Sequence, residues 1–333
     1  MRNFLSLRNL SRGVIEELLE HARHLKRNPH SLDLLNKVVG LVFMNPSLRT
    51  LASMQAGISQ LGGSSFVIQP GQNSWNLEFE DGAVMDGITV EHVKEAIPVL
   101  GKYCDILGIR SFALQHNLAE DLEDRRMGVM AELSPVPFVN LESASDHPCQ
   151  ALADWLTIDE CGIGRSEKFV LSWAFHPKPL PFAVPRAALS MAAQRGMEIV
   201  IHGPQGYELP DQMMSELQSF GARSVQFETD RRKALNGARV LYCKSWVQHR
   251  LYGDPEKEMN ARSALRENWC VREKWFEDYA PHAKFMHCLP VRRNVKVEDR
   301  VLDNDRSIVI QQSENRLHVQ KAVLARLAQE VKA

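Results

Sequence analysis

This sequence is informative first through what it lacks. No Gly-x-Gly-x-x-Gly follows an apolar run and no Walker loop occurs, so a dinucleotide site is not expected. Basic charge is not in excess: Lys+Arg 40 stand against Asp+Glu 41, a balance that argues against a nucleic-acid partner. No stretch approaches the roughly 18 unbroken apolar residues of a membrane span. The start, Met1-Arg2-Asn3-Phe4, has neither the apolar core nor the cleavage site of a signal peptide. Six cysteines are scattered without disulfide or metal spacing, which suggests reduced thiols in a cytoplasmic protein. None of the 12 histidines pairs at metal-ligand spacing, and no serine sits in a nucleophile elbow. No metal and no organic cofactor are implied. Chemistry in this chain therefore falls to positioning and electrostatics.

What is present starts with Met44-Asn45-Pro46-Ser47-Leu48-Arg49-Thr50. The apolar run Val38 to Met44 suits a buried strand, and Asn-Pro stops it in a turn. Ser47 stands at an N-cap position ahead of a helix-compatible segment, Thr50 to Leu61. Strand, turn and helix N-terminus with Ser, Arg and Thr make an anion site, through free N–H groups, helix dipole and guanidinium. The alternative for this stretch alone is an ordinary cap beside a surface arginine.

With 333 residues and 44% hydrophobic content, the chain is long enough for two α/β domains. Ser11 to Lys26 reads as an amphipathic helix with Val14, Leu18, Leu19, Ala22 and Leu25 on one face. A second strand is expected at Ser64–Gln69, then a loop, Pro70 to Trp75, with a large aromatic at its tip. That indole is either half-buried packing or a contact with another molecule. Asp86-Gly87 marks a turn before an expected helix Val90–Leu100. Strands are expected at Asp105–Ile109, ending at Arg110, and at Phe138–Leu141, ending at Glu142. Alternation of strand and helix implies a parallel sheet, whose strand C-termini face the ligand crevice. Arg49, Arg110 and Glu142 all fall at such ends.

His147-Pro148-Cys149-Gln150 opens a helix to about Asp159, with the histidine equally readable as a cap or a packed ring, and 161–165 reads as a linker. The second half repeats the alternation, with strands expected at Phe169–Trp173, Glu198–Ile201, Val225–Phe227, Val240–Cys243, Lys284–Cys288 and Ile308–Ile310. Their ends carry His176-Pro177-Lys178-Pro179-Leu180, Lys244-Ser245-Trp246 and His287-Cys288-Leu289-Pro290-Val291-Arg292-Arg293. A final helix is expected at Glu314–Glu330, with Leu317, Ala322, Val323 and Leu327 in its apolar stripe.

Ser47-Leu48-Arg49-Thr50, His147-Pro148-Cys149-Gln150 and His287-Cys288-Leu289-Pro290 together resemble the signature of the aspartate/ornithine carbamoyltransferase family. The resemblance implies an α/β fold of two Rossmann-like domains, each a parallel sheet flanked by helices, with the C-terminal helix packed back on the first. It implies residues 1–146 with helix 314–333 for carbamoyl phosphate, an interdomain helix 147–160, and 165–313 for the amino substrate. It also implies a homotrimer with sites shared between subunits. Carried over by position, Ser47, Leu48 through its backbone, Arg49 and Thr50 would hold the phosphate. Arg110, His147, Pro148, Cys149, Gln150, Cys288, Leu289 and Arg316 would complete the carbamoyl phosphate site, with Trp75 reaching it from a neighbouring subunit. Arg49, Thr50, Arg110, His147, Gln150 and Cys288 would be the catalytic set, without a covalent intermediate on the thiol.

No Ser-Met-Gly occurs, the stretch by which ordinary ornithine enzymes resemble one another. Trp173 to Leu180, Lys244-Ser245-Trp246 and Pro290 to Asn294 look instead like the N-acylornithine branch, in arginine biosynthesis. By that resemblance Val90, Glu142, His176, Lys178, Leu180, Lys244, Leu289 and Arg292 would contact the acylornithine. Acetyl-type members resemble one another in an acidic residue before the Glu-His where this chain has Val90, so a succinyl group is expected and acetyl is the alternative. Lys296 pulls the other way, since it matches a lysine of acetyl-type enzymes that can be carboxylated; its plain reading is a solvated surface charge. Leu51 and Gln55 replace an Arg and a Glu of the family pattern together, leaving no orphan charge. A catalytically silent binding or regulatory subunit, and an enzyme for putrescine or free ornithine, are the rival readings.

Overall fold

The computed structural model describes residues 1–331, and the chain forms two compact units. The first contains residues 1–113, 123–149 and the chain from Arg316 on; the second contains 114–122 and 150–315. Among the described residues no helix is long and apolar enough to cross a membrane.

Seven strands belong to the first unit: β1 (Asn3–Phe4), β2 (Val38–Phe43), β3 (Ser64–Ile68), β4 (Asn76–Glu78), β5 (Thr89–His92), β6 (Ile106–Arg110) and β7 (Phe138–Glu142). Five make a parallel sheet in the order β1-β7-β6-β2-β3. β2 and β6 are buried almost throughout, as expected for inner strands of a parallel sheet. From β2 the chain moves outward to β3, then crosses back to β6, so the strand order reverses between β2 and β6. Ligands of open α/β sheets bind at the carboxyl ends beside such a reversal. The turn after β2 and Arg110 at the end of β6 occupy those positions.

Helix Arg12–Arg27 is capped by Ser11, whose hydroxyl accepts from Val14 N. Its buried face is Ile15, Leu18, Leu19, Ala22 and Leu25, so Ile15 takes the place expected of Val14, which is only half-buried. Helices Val93–Leu100 and Arg125–Leu133 supply Val93, Ile97, Met127 and Met130 to a core with Val42, Leu107, Ile109 and Phe138.

Two expectations fail. The segment expected as helix from Val90 is first a strand: β5 pairs in parallel with β4, and helix begins only at Val93, capped by His92. β-branched Ile88-Thr89-Val90 favours the extended state, and His92 Nδ1 accepts from Lys94 N, which starts the helix after it. The strand expected at Ile308–Ile310 is absent. Only Ser307 bridges Phe285, and helix Val309–Glu330 starts at once, with Ile310 exposed.

The second unit carries β8 (Lys168–Trp173), β9 (Glu198–His202), β10 (Ser224–Glu228), β11 (Ala238–Lys244) and β12 (Lys284–Met286), all parallel in the order β10-β9-β8-β11-β12. This is the doubly wound strand order, with its reversal between β8 and β11. β12 stops two residues earlier than expected because His287 N donates to the Gln312 side chain (3.0 Å). Helix Val309–Glu330 contains the segment expected from Glu314; positions 332 and 333 of that expectation lie outside the described residues. Within the first unit its Lys321 donates to Leu25 O (3.1 Å), Pro29 O (2.9 Å) and Gln60 Oε1 (2.9 Å).

Candidate functional site

In the first unit the turn after β2 is lashed to the end of β6. Met44 N donates to Arg110 O (2.9 Å), and Phe112 N donates to Asn45 Oδ1 (2.8 Å). Helix Leu48–Gln60 then starts with Ser47 as N-cap, its hydroxyl accepting from Thr50 N at 3.3 Å. The first-turn amides and the helix dipole give this end a partial positive charge. The Leu48 side chain is 78% exposed, which leaves its backbone as the useful group. Arg49 is half-buried beside it, and Thr50 is buried. Thr50 Oγ1 accepts from Arg316 Nη2 at 2.8 Å.

Arg110 and Glu142 end adjacent strands, and their buried side chains form an ion pair. Glu142 Oε2 lies 3.4 Å from Nε2 of the buried His147. The Arg110 guanidinium also stacks on Phe112 at 4.3 Å, and its Nε makes no hydrogen bond among the described residues. Each partner fixes the next, so Arg110, Glu142 and His147 form one cluster.

Beneath His147 lies a support that no sequence motif announced. His147 N donates to Asp146 Oδ1 (2.7 Å), while Asp146 Oδ2 accepts from Ser6 Oγ and Arg8 Nε (3.2 Å). Ser143 N donates to Asp146 O (2.8 Å), and Ser143 Oγ donates to Asp124. Burial pushes the Asp124 carboxyl up to about 6; the Ser143 hydrogen bond opposes this and the Asp146 charge reinforces it.

Trp75 stands just before β4 and bonds to β5, the strand that carries Val90. Trp75 is 54% exposed and its Nε1 donates to Glu91 Oε2 at 2.6 Å; Val90, the residue before Glu91, is 63% exposed. Sequence alone gave no reason to join the Trp75 loop to the strand of Val90.

Pro148 and Cys149 complete the first unit's candidate residues at the start of helix Pro148–Glu160. Proline suits a first helical position. Cys149 is buried, which pushes its thiol up to about 12 and keeps it protonated.

In the second unit, the loops after β8 and β11 leave from the two sides of the strand-order reversal. They are stitched together by Val247 N donating to Leu180 O (2.9 Å). His176 Nε2 lies 3.3 Å from Arg292 Nε, and Nδ1 lies 2.9 Å from Lys178 O and 3.1 Å from Lys178 N. Burial pushes His176 down to about 4, helped by the charges of Lys296, Arg292 and Arg262, so the ring is neutral. Lys178 is exposed and Leu180 half-buried. Lys244 Nζ donates to Cys288 Sγ at 3.3 Å. Leu289 is held in the left-handed region (φ +56°), a conformation that leucine adopts only at a cost of about 1–2 kcal/mol. Its N–H donates to His287 Nδ1 (2.8 Å), which helps to retain it.

Gln150 Nε2 donates to Asp154 Oδ1 (2.8 Å), and Gln312 Nε2 donates to the same oxygen (2.7 Å). A carboxylate oxygen can only accept, so the Gln150 amide is oriented with its carbonyl oxygen away from Asp154. An aspartate one helical turn after Gln150, in the otherwise apolar run 151–156, was the available signal for it. Lys296 corrects the sequence reading: it is not a solvated surface charge but 2% exposed. Burial, with Lys244 adding to it, pushes the amine down to about 7.

Comparison with known proteins finds relatives over nearly the whole chain. The aspartate/ornithine carbamoyltransferase carbamoyl-P binding domain model matches residues 2–160, and the Asp/Orn binding domain model matches 184–327. N-acetylornithine carbamoyltransferase of Xanthomonas axonopodis pv. citri is 40% identical, over 98% of this chain and 97% of its own length. N-succinylornithine carbamoyltransferase of Bacteroides fragilis is 38% identical, over 88% of this chain and 87% of its own. A crystal structure of acetylornithine transcarbamylase complexed with acetylcitrulline superposes with a TM-score of 0.93 at 40% identity, covering 98% of this chain and 99% of that one. Mutants of N-acetyl-L-ornithine transcarbamylase in which one glutamate is replaced by proline or valine, complexed with carbamyl phosphate and N-succinyl-L-norvaline, give TM-scores of 0.94 and 0.93 at 40% identity, each covering 98% of this chain and 100% of that one.

Proposed function

We propose that this chain, which belongs to the aspartate/ornithine carbamoyltransferase family, transfers the carbamoyl group of carbamoyl phosphate to the δ-amine of N-succinyl-L-ornithine. The products are N-succinyl-L-citrulline and phosphate, in arginine biosynthesis. The observation that carries the reading is the first unit's cationic assembly: Thr50 bonded to Arg316, and Arg110, Glu142 and His147 in one cluster.

Ser47, the Leu48 amide, Arg49, Thr50 and Arg316 hold the phosphate. Arg110, His147 and Thr50 receive the carbamoyl oxygen, and the Gln150 and Leu289 carbonyls accept from its amide. The neutral δ-amine attacks the carbonyl carbon. The oxyanion that develops is stabilised by donors already fixed in place, the contribution that commonly dominates such transfers. The C–O bond to phosphate then breaks, and the departing phosphate accepts the amine proton, so no strong protein base is needed. Cys149 stays a buried thiol that lines this region, and Cys288, beside Lys244, positions the amine without forming a covalent intermediate.

Glu142, His176, Lys178, Leu180, Lys244 and Arg292 take the acylornithine. Neutral His176 accepts from Arg292, and this pair suits a carboxylate better than an amine. The uncharged Val90 supports the succinyl assignment, because it places no like charge against a second carboxylate. The relatives whose replaced glutamate accompanies a bound N-succinyl compound agree with that choice. The protein works as a cytoplasmic homotrimer in which Trp75 and Val90, on their shared ribbon, serve a neighbouring subunit's site.

One observation favours acetyl as a second reading. Lys296 is buried with its amine near 7, so a neutral form able to add CO2 is present at neutral pH. Steady-state kinetics with both acylornithines decides: higher kcat/KM with the succinyl compound is expected, and a clear acetyl preference overturns the acyl assignment.

A further inference from the structure

We infer that Arg262 is a positioning residue that locks together the two loops assigned above to the acylornithine; the inference rests on that assignment. Arg262 sits on helix Pro255–Ser263 and is 1% exposed, one turn after Glu258, which is 0% exposed. Its Nε donates to Glu258 Oε1 (3.0 Å), and Nη2 also reaches that carboxylate. The other donors leave the helix. Nη1 donates to the carbonyls of His176 (3.0 Å) and Lys178, and Nη2 donates to the carbonyl of Trp246 (3.1 Å). All five N–H groups of the guanidinium are thereby used.

The three carbonyls come from the loop after β8 and the loop after β11. The same Trp246 carbonyl accepts from Trp173 Nε1 (3.0 Å), and Trp246 Nε1 donates to Tyr207 O (2.9 Å). Tyr207 Oη closes the ring on Glu258 Oε1 at 3.3 Å. A buried ion pair is weak evidence for stability, since apolar side chains of like volume do as well. What an apolar pair cannot do is bind three carbonyls in one plane. A lysine, a point charge with three donors, cannot span them either.

The consequence runs into the substrate residues. The Lys178 carbonyl that Arg262 binds also lies 2.9 Å from His176 Nδ1. Nδ1 also lies 3.1 Å from Lys178 N, so the ring is held against both backbone groups of Lys178, with Nε2 turned to Arg292. Arg262 therefore sets the position of the His176 ring and, through it, the direction of Arg292. Its grip on Trp246 fixes the loop of Lys244 at the same time.

The test compares R262K and R262M with the parent by two readouts. In kinetics, KM for the acylornithine should rise about tenfold or more while KM for carbamoyl phosphate stays within about twofold, a split that general loosening does not give. In long-range 1H–15N spectra of the histidine rings, the His176 ring signals should shift or broaden in R262K relative to the parent, because the Lys178 backbone that holds the ring is released. R262K keeps a buried cation beside Glu258 and serves if R262M fails to fold. Unchanged acylornithine KM with unchanged His176 ring signals overturns the clamp, as does an equal rise in both KM values. A parent that turns over no acylornithine overturns the functional reading, and the ring-signal comparison then decides the clamp by itself.

Discussion

Arg316 Nη2 lies 2.8 Å from Thr50 Oγ1, which joins the last long helix to the first turn of helix Leu48–Gln60. Lys321, one helical turn and a half further on, pins the same helix to Leu25, Pro29 and Gln60. A local motif and a residue 266 positions away thus form one element within the first unit, the one proposed above to hold the phosphate.

Arg49→Ala should abolish measurable turnover, and Arg316→Ala should raise KM for carbamoyl phosphate by about 10- to 100-fold, the usual range for a charge-assisted hydrogen bond. Steady-state kinetics beside thermal melting checks both. Near-normal turnover of Arg49→Ala removes the phosphate assignment.

His147→Asn should lower kcat by about 10²–10³-fold with little change in either KM, because a fixed donor to a developing oxyanion acts mainly in the transition state. A KM effect without a kcat effect would make His147 a binding group only.

Asp124→Asn should stabilise the protein above pH 6. The native carboxyl is pushed up to about 6 from its ordinary 3.8, so the native state binds the extra proton between those values. Stability is therefore full below the unfolded value and is lost as pH rises through 6, by about 3 kcal/mol at most. Asparagine removes that loss and tolerates the left-handed backbone at this position (φ +60°). Denaturant titrations at pH 4 and pH 8 should show a gain at pH 8 only; equal effects at both would remove the assigned cause.

Val90→Glu should shift the acyl preference from succinyl toward acetyl by about tenfold or more, since like charges brought together out of water cost several kcal/mol. Competition between the two acylornithines reads the ratio. No change would place the acyl group away from the β4–β5 ribbon.

Much of this was legible in the sequence. The inner strands β2, β6, β8 and β11 are built on apolar runs (38–43, 106–109, 169–171 and 240–243), and a buried parallel strand leaves few other choices. The Ser47 cap is set by local hydrogen bonding and appeared where expected. Two of the failures share a cause, partners that lie elsewhere in the chain. Val90 became strand because β4 was there to pair with it, and β12 ended early because Gln312 took the His287 amide. Lys296 looked solvated because its neighbours Arg293 and Asn294 are exposed, and the turn that buries it has no short signature. Arg262 carries no motif in the sequence, since its work is done through backbone carbonyls far along the chain.

The most direct test of the central claim follows the transferred carbon. With carbonyl-13C carbamoyl phosphate and N-succinyl-L-ornithine, the account predicts label in the ureido carbon of N-succinyl-L-citrulline, with one phosphate released per labelled product. Phosphate release without labelled product, or label entering only free ornithine, would contradict it.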